Sequence, residues 1–259
     1  MLIDTHCHLN DSKLLYFTPD IVNTRAKDRM LAYVCVGTDY NTSYIATREA
    51  EIFEPIYATI GYHPDYCLEY NEDIENKLKE LANSPKVVAY GEIGLDYHGE
   101  NQPPKDKQQE IFEKQIDFAN KLNLPLVIHV RDAFEDAINI LKKSKSKINN
   151  GAVIHCFSGS VETAKILLDM GFYLSFNGVL TFKNAKRCIE VLKIMPLDKI
   201  LIETDSPYLT PEPHRGELNE PKNVNFVADK MAEILNIDRN ELVKILNQNA
   251  RTLFKKLNI

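Results

Sequence analysis

Two rhythms of apolar and polar residues alternate along this chain. Short runs rich in β-branched and other apolar side chains recur from end to end, and longer stretches between them repeat their apolar positions at helical spacing. The short runs predict eight strands: Leu2–His6, Leu31–Gly37, Ile56–Gly61, Val87–Glu92, Leu126–Val130, Ala152–Cys156, Tyr173–Phe176 and Ile200–Thr204. Lys107–Leu122 and Val161–Met170 read as helices, the first with Ile111, Phe112, Gln115, Phe118, Ala119 and Leu122 on one core face. Lys222–Phe254 reads as two further helices divided near Asn236–Asp238. Strand then helix, about eight times over, predicts an all-parallel sheet. Eight such units in 259 residues match the size of a (β/α)8 TIM barrel. The competing fold, a doubly wound open sheet, needs a glycine-rich phosphate loop after the first strand. The sequence there is His6-Cys7-His8-Leu9-Asn10 instead.

No repeat, low-complexity tract or linker divides the chain, so a single domain over residues 1–259 is expected. Proline and glycine cluster at Gln102-Pro103-Pro104 and at Pro211–Pro213, as loops after the fourth and eighth strands. The apolar fraction of 44% and charged fraction of 26% are those of an ordinary globular protein able to bury a large core without disulfides. The five cysteines are scattered, with no Cys-x-x-Cys pair. That argues for a reducing compartment and against a thiolate zinc site. Asp4 interrupts the N-terminus before any apolar leader core forms, and no stretch approaches the ~20 apolar residues of a membrane span. A cytoplasmic protein without membrane attachment or an obligate protein partner is expected. The net charge of −6 argues against a grip on long duplex nucleic acid through many phosphates. Affinity for a nucleic acid would come from a few local cations, bound metal included.

The candidate chemistry begins at Asp4-Thr5-His6-Cys7-His8. Alternate strand residues share a face, so His6 and His8 present two imidazoles side by side, a spacing that suits a divalent metal. Further donors recur at the C-terminal strand ends, where barrel enzymes keep their functional groups. These are His63 after the third strand, Glu92 ending the fourth, His129 ending the fifth, His155 ending the sixth and Asp205 ending the eighth. Five of the seven histidines therefore fall at one face, while His98 and His214 fall in loops. Glu92 ends an otherwise apolar strand between Gly91 and Gly94, and a carboxylate there is costly unless paired or liganded. Glu203 shares the parity of Asp205 but lies deeper, which suits support of a ligand better than ligation. Three to four imidazoles with two carboxylates exceed what one open catalytic ion takes. Two divalent ions bridged by a carboxylate fit better, and the mixed nitrogen and oxygen set leaves Zn²⁺, Mn²⁺ and Mg²⁺ open.

These residues resemble the TatD-type metal-dependent deoxyribonucleases of the amidohydrolase-like barrels. The resemblance runs through Leu2–Asn10, Gly61-Tyr62-His63-Pro64, Gly91–Tyr97, Leu124–Ala133 and His155–Gly159. It continues in Glu203–Leu209, Arg215-Gly216 and Asn219-Glu220-Pro221. It implies a TIM barrel in which His6, His8 and Asp205 hold one divalent ion, His129 and His155 the other, and Glu92 lies between them. It also implies trimming of single-stranded or frayed DNA, often from the 3′ end, with His63, Arg131 and Arg215 at positions that contact phosphate or the substrate chain. The chain departs from many members at Glu217-Leu218, where they carry basic residues.

The leading expectation is metal-assisted phosphodiester hydrolysis, a deoxyribonuclease acting as an exonuclease, with Glu92 and Asp205 as catalytic carboxylates and Asp205 as general base. A rival keeps the centre and changes the electrophile: an amidohydrolase, esterase or lactonase acting on a small acyl substrate. The lysine that several amide-hydrolysing barrels place at the end of the fourth strand is absent, with Glu92 in its place. A third reading is a non-catalytic barrel serving as a binding module, against which stands the full set of six metal donors.

Overall fold

The computed structural model describes residues 1–259. Eight parallel strands form one sheet in the order of the sequence. They are β1 (Leu2–Cys7), β2 (Met30–Val36), β3 (Ile56–Ile60), β4 (Val87–Asp96), β5 (Leu126–Arg131), β6 (Ala152–Ile154), β7 (Tyr173–Phe176) and β8 (Ile200–Ile202). The helices are α1 (Thr18–Thr24), α2 (Tyr40–Ile52), α3 (Glu72–Leu81), α4 (Lys105–Leu122), α5 (Phe134–Lys143), α6 (Val161–Asp169), α7 (Lys186–Ile194), α8 (Val224–Leu235) and α9 (Arg239–Leu253). This is the expected (β/α)8 barrel. Its last seam, between β8 and β1, is joined by Asp205 N to His6 O (2.9 Å), His8 N to Ser206 O (2.7 Å) and Thr5 Oγ1 to Ile202 O (2.7 Å).

Strand alternation divides the core in two. Residues facing outward pack against the helices: Leu126, Ile128, Ile154, Leu174, Ile200 and Ile202 belong to this larger cluster. A smaller cluster fills the inside, with Ile3, Val34, Tyr57, Val88, Val127, Val153, Tyr173 and Leu201 contributed by the eight strands in turn. Phe254 and Leu257, beyond the end of α9, join that inner cluster. In β5, β6 and β8 the same parity leads from the inner residue, two or four positions later, to the C-terminal mouth. Val127 leads to His129, Val153 to His155, and Leu201 to Glu203 and Asp205.

Strand limits differ from the sequence expectation at the mouth. β6 and β8 end at Ile154 and Ile202, each two residues early, although the ladder continues through His155 N to Ile128 O (3.0 Å) and Glu203 N to Phe176 O (3.1 Å). The chain then turns through Cys156 (φ 45°) and Asp205 (φ 58°). Those are left-handed conformations costing on the order of 1 kcal/mol or more for residues with a Cβ. β4 is longer than expected and pairs Gly94 with His129 and Asp96 with Arg131. Gly94 permits this, because a Cβ there would stand 1.9 Å from His129 O. The five cysteines are unpaired, and no helix is long and apolar enough to cross a membrane.

Candidate metal centre

Simple alternation brings His129, His155 and Asp205 to the mouth, but β1 and β4 arrive by another route. The β1–β2 register shifts between Asp4 and Cys7, and the β4–β5 register between Tyr90 and Ile93. Such irregularities re-aim side chains. Thus Ile3 packs inside the barrel while His6 and His8, of the other parity, also reach its mouth. Asp4 fixes the first irregularity: its carboxylate accepts from Thr204 N (2.9 Å), Thr204 Oγ1 (2.5 Å) and His6 N (3.3 Å). Two buried glutamines of α4 pin the neighbouring strand ends. Gln115 exchanges hydrogen bonds with the backbone of Tyr62 (3.0 and 2.9 Å), immediately before His63. Gln108 does the same for Asp96 (2.8 and 2.7 Å).

Glu92 stands at the middle, 3% exposed. Its Oε1 lies 2.8 Å from His155 Nε2 and 2.9 Å from His129 Nδ1, with His63 Nε2 at 3.6 Å. Its Oε2 faces the opposite group, 3.4 Å from His6 Nε2 and 3.8 Å from His8 Nε2. Asp205 Oδ1 completes that group, 3.4 Å from His8 Nε2 and 3.7 Å from His6 Nε2. The six expected donors therefore converge. His6, His8 and Asp205 form one set whose candidate ligand atoms all lie within 4.8 Å of one another, and Glu92, His129 and His155 form another.

Surrounding groups fix the imidazoles. His8 Nδ1 lies 3.0 Å from Val36 O, which directs Nε2 to the cluster. His129 turns Nε2 to Asp96 Oδ2 (3.0 Å) and Nδ1 inward. His155 Nδ1 lies 3.5 Å from Glu203 Oε1, and Glu203 is itself held by Cys156 N (2.8 Å) and Ser175 Oγ (2.6 Å). Asp96 was missed as a site residue in the sequence. Its signal was its parity, four positions beyond Glu92 in the same strand.

Charge explains what the cluster requires. Burial by itself raises the Glu92 carboxyl, but charge on His155 and hydrogen bonds from His129, His155 and His6 override it and hold the group well below the usual range. Burial likewise opposes charge on His155, yet Glu92 and Glu203 hold it well above the ordinary imidazole value. Burial and the neighbouring His155 charge together lower His6, keeping it a neutral donor. No lysine or arginine pairs with Glu92 or Asp205; every ion-pair partner of either is a histidine. Converging imidazole nitrogens and carboxylate oxygens, with no fixed cation among them, fit a divalent metal. The Cys156 thiol, pushed well up by burial, adds no thiolate.

The centre opens into a cavity of about 710 Å³. His63 and Arg131 line it, as do Tyr66, Tyr208, Asp11 and Asp65, which were not singled out in the sequence. Arg131 is exposed at the end of β5. Arg215 does not line this cavity; its guanidinium stacks 3.8 Å from the centre of the Phe182 ring. His98 and His214 sit apart, paired with Asp132 (2.8 Å) and Glu217 (3.2 Å) at the surface.

A family model described as TatD related DNase matches residues 3–255. The chain is 44% identical over 255 residues to YabD of Bacillus subtilis (strain 168), described as an uncharacterized metal-dependent hydrolase, with 98% of this chain and 99% of that protein covered. It is 38% identical over 258 residues to YcfH of Escherichia coli (strain K12), described in the same words, covering 98% and 95%. Among solved structures it is similar to YJJV, a TatD homologue from Escherichia coli K12, with a TM-score of 0.92, 27% identity and 98% of each chain covered.

Proposed function

The chain belongs to the TatD related DNase family, and on that premise we propose that it is a metal-dependent phosphodiesterase that removes nucleotides from single-stranded or frayed DNA ends. The observation that carries the reading is the division of labour at Glu92. Each carboxylate oxygen has its own donor group, His129 and His155 on one side, His6, His8 and Asp205 on the other. That supports two divalent ions, Mg²⁺, Mn²⁺ or Zn²⁺: His129 and His155 would hold one and His6, His8 and Asp205 the other, with Glu92 facing both donor groups. When bound, such ions lower the pKa of water from ~16 towards ~7 and neutralise charge developing on a phosphoryl group.

The chain's own residues supply the rest. Asp205 is kept ionised against burial by hydrogen bonding to His8 and by the charges of His155 and His8. With its side chain 15% exposed at the cavity, it can orient a water and accept its proton. His63 Nε2, beside Glu92 on the cavity wall, is within reach of a phosphoryl oxygen. Arg131 offers a planar pair of donors that suits phosphate. Arg215, stacked on Phe182, serves a strand that runs beyond the cavity.

Incubation with 3′-labelled single-stranded DNA, with and without EDTA, tests the reading. The expected result is a ladder of shortened products that EDTA abolishes. Asp11 and Asp65 at the cavity favour the rival, a small acyl substrate at the same centre. Intact DNA beside chelator-sensitive hydrolysis of an ester or lactone would establish that rival.

A further inference from the structure

We propose that a second cavity, beside the donor cluster on the β6–β7 side of the mouth, binds a neighbouring phosphate of the single-stranded DNA end. The enzyme would then hold the strand at least one linkage away from the bond it cuts. The inference rests on the phosphodiester reading above and adds to it the direction in which the strand leaves the centre.

The second cavity has a volume of about 390 Å³ and adjoins the first: Cys156, Ser158 and Val179 line both. The two cavities differ in charge. Asp11, Asp65, Glu92, Asp96 and Asp205 face the donor cavity, with Arg131 its one fixed cation. No carboxylate lines the second cavity, and Lys186 and Arg187, which open α7, contribute two cations to it. Asn184 and Ser158 add neutral polar groups. Both cations are exposed, and neither is in an ion pair. Some others are neutralised locally, as Lys107 and Lys114 are by Glu110 and Lys147 by Asp117.

A polyanion whose scissile phosphate lies at the donors therefore meets a one-sided rim. Asp11 follows β1 and Asp65 follows β3, and a phosphate leaving past them is repelled. Over β5–β7 the strand passes Arg131 and then the second cavity, whose lining has no carboxylate and where Lys186 and Arg187 attract it. The acidic overall charge of −6 makes such a local track the available source of phosphate affinity, because each paired phosphate releases counterions only where a free cation meets it.

Fluorescence anisotropy of a short labelled oligothymidylate with cleavage-resistant phosphorothioate linkages, titrated with the metal-loaded enzyme across a salt series, reads the subsite directly. Lys186→Ala/Arg187→Ala is expected to weaken binding about tenfold at low salt. It should also flatten the dependence of log affinity on log salt by about 0.7 for each phosphate left without its cation. Lys142→Ala/Lys143→Ala, which removes two exposed cations at the end of α5, should leave both quantities unchanged. Wild-type binding by the Lys186/Arg187 variant, or equal weakening by both pairs, overturns the subsite. Shortening of an unmodified strand by the wild-type protein is scored separately. Binding that needs Lys186 and Arg187 without any cutting defeats the nuclease reading and leaves the subsite standing. Cutting with binding indifferent to those residues defeats the subsite alone, and neither binding nor cutting defeats both.

Discussion

The same eight strands build both ends of the barrel's interior, and the two ends have opposite chemistry. At the lower end each strand gives an apolar side chain, and Phe254 and Leu257 pack among them. That packing is favourable on its own account, since it removes apolar surface from water. A few residues further along the same strands, Glu92, Asp96, Glu203 and Asp205 come together among histidines. Glu92, Asp96 and Glu203 are almost wholly buried. Burying carboxylates so close together is unfavourable without positive charge among them. The comparison teaches that the lower end supplies the rigidity and the upper end the reactivity, so the two should be separable by substitution.

The largest expected effect is at the upper end. Glu92→Gln keeps the volume of the side chain and removes the charge between the two donor groups. We expect turnover to fall about a thousandfold or more and stoichiometric metal to be lost in emission spectrometry. In EDTA, where neither protein carries metal, the melting temperature should be unchanged or higher, because a site shaped for chemistry is seldom shaped for stability. A variant melting far below the wild type would break the comparison, since the upper end would then be holding the fold.

Phe254→Ala is the converse. Phe254 is fully buried, and its truncation should cost about 3–5 kcal/mol, read as a lower midpoint in urea unfolding. Turnover per folded molecule should stay at the wild-type value in conditions where the variant is folded. Loss of turnover in fully folded protein would mean that the plug also tunes the mouth.

The contrast between the ends also explains what could be read from the sequence. The inner and outer faces of β5, β6 and β8 follow strict alternation, so His129, His155 and Asp205 were visible as inward groups at strand ends. His6 and His8 were found by their spacing, but the register shift that aims them inward is a tertiary feature with no local signature. β4 read as ending at Glu92 because Gly94 breaks the apolar pattern. The same glycine lets the strand run on beside His129, and so Asp96 was missed. Arg215 was expected to contact the substrate chain; its loop after β8 lays it on Phe182, outside the donor cavity, a placement set by packing rather than by neighbours in sequence. Nothing in the sequence around Lys186 and Arg187 sets them apart from the chain's other cations. Only the folded arrangement of β6, β7 and α7 puts them at a cavity edge.

Metal binding should sharpen the comparison from a third direction. A ligand that binds only the folded protein, present at a hundredfold its dissociation constant, stabilises by about 2.7 kcal/mol. Thermal melts with added Mn²⁺ or Zn²⁺ against melts in EDTA should show this shift in the wild type. It should persist in Phe254→Ala, which lacks only the plug, and shrink in Glu92→Gln. A shift equally large in Glu92→Gln would place the cation elsewhere.

The smallest effect separates the groups that hold the donors from the donors themselves. Asp96 accepts from His129 Nε2 at 3.0 Å and Glu203 lies 3.5 Å from His155 Nδ1, so each faces the imidazole nitrogen opposite the one turned to Glu92. Removing such a partner's charge typically weakens a metal site about 10- to 100-fold. Asp96→Asn and Glu203→Gln should therefore raise the metal dissociation constant by that factor, measured by competition with a fluorescent chelator. Turnover should recover towards the wild-type value once metal is saturating. Glu92→Gln should not recover at any metal concentration, because there the negative charge facing both donor groups is itself removed and one acceptor oxygen becomes an amide NH2. If saturating metal leaves Asp96→Asn as inactive as Glu92→Gln, Asp96 belongs with the donors, in the group that His63, Asp96 and His129 also form. The boundary between support and reactivity would then lie one residue further out along β4.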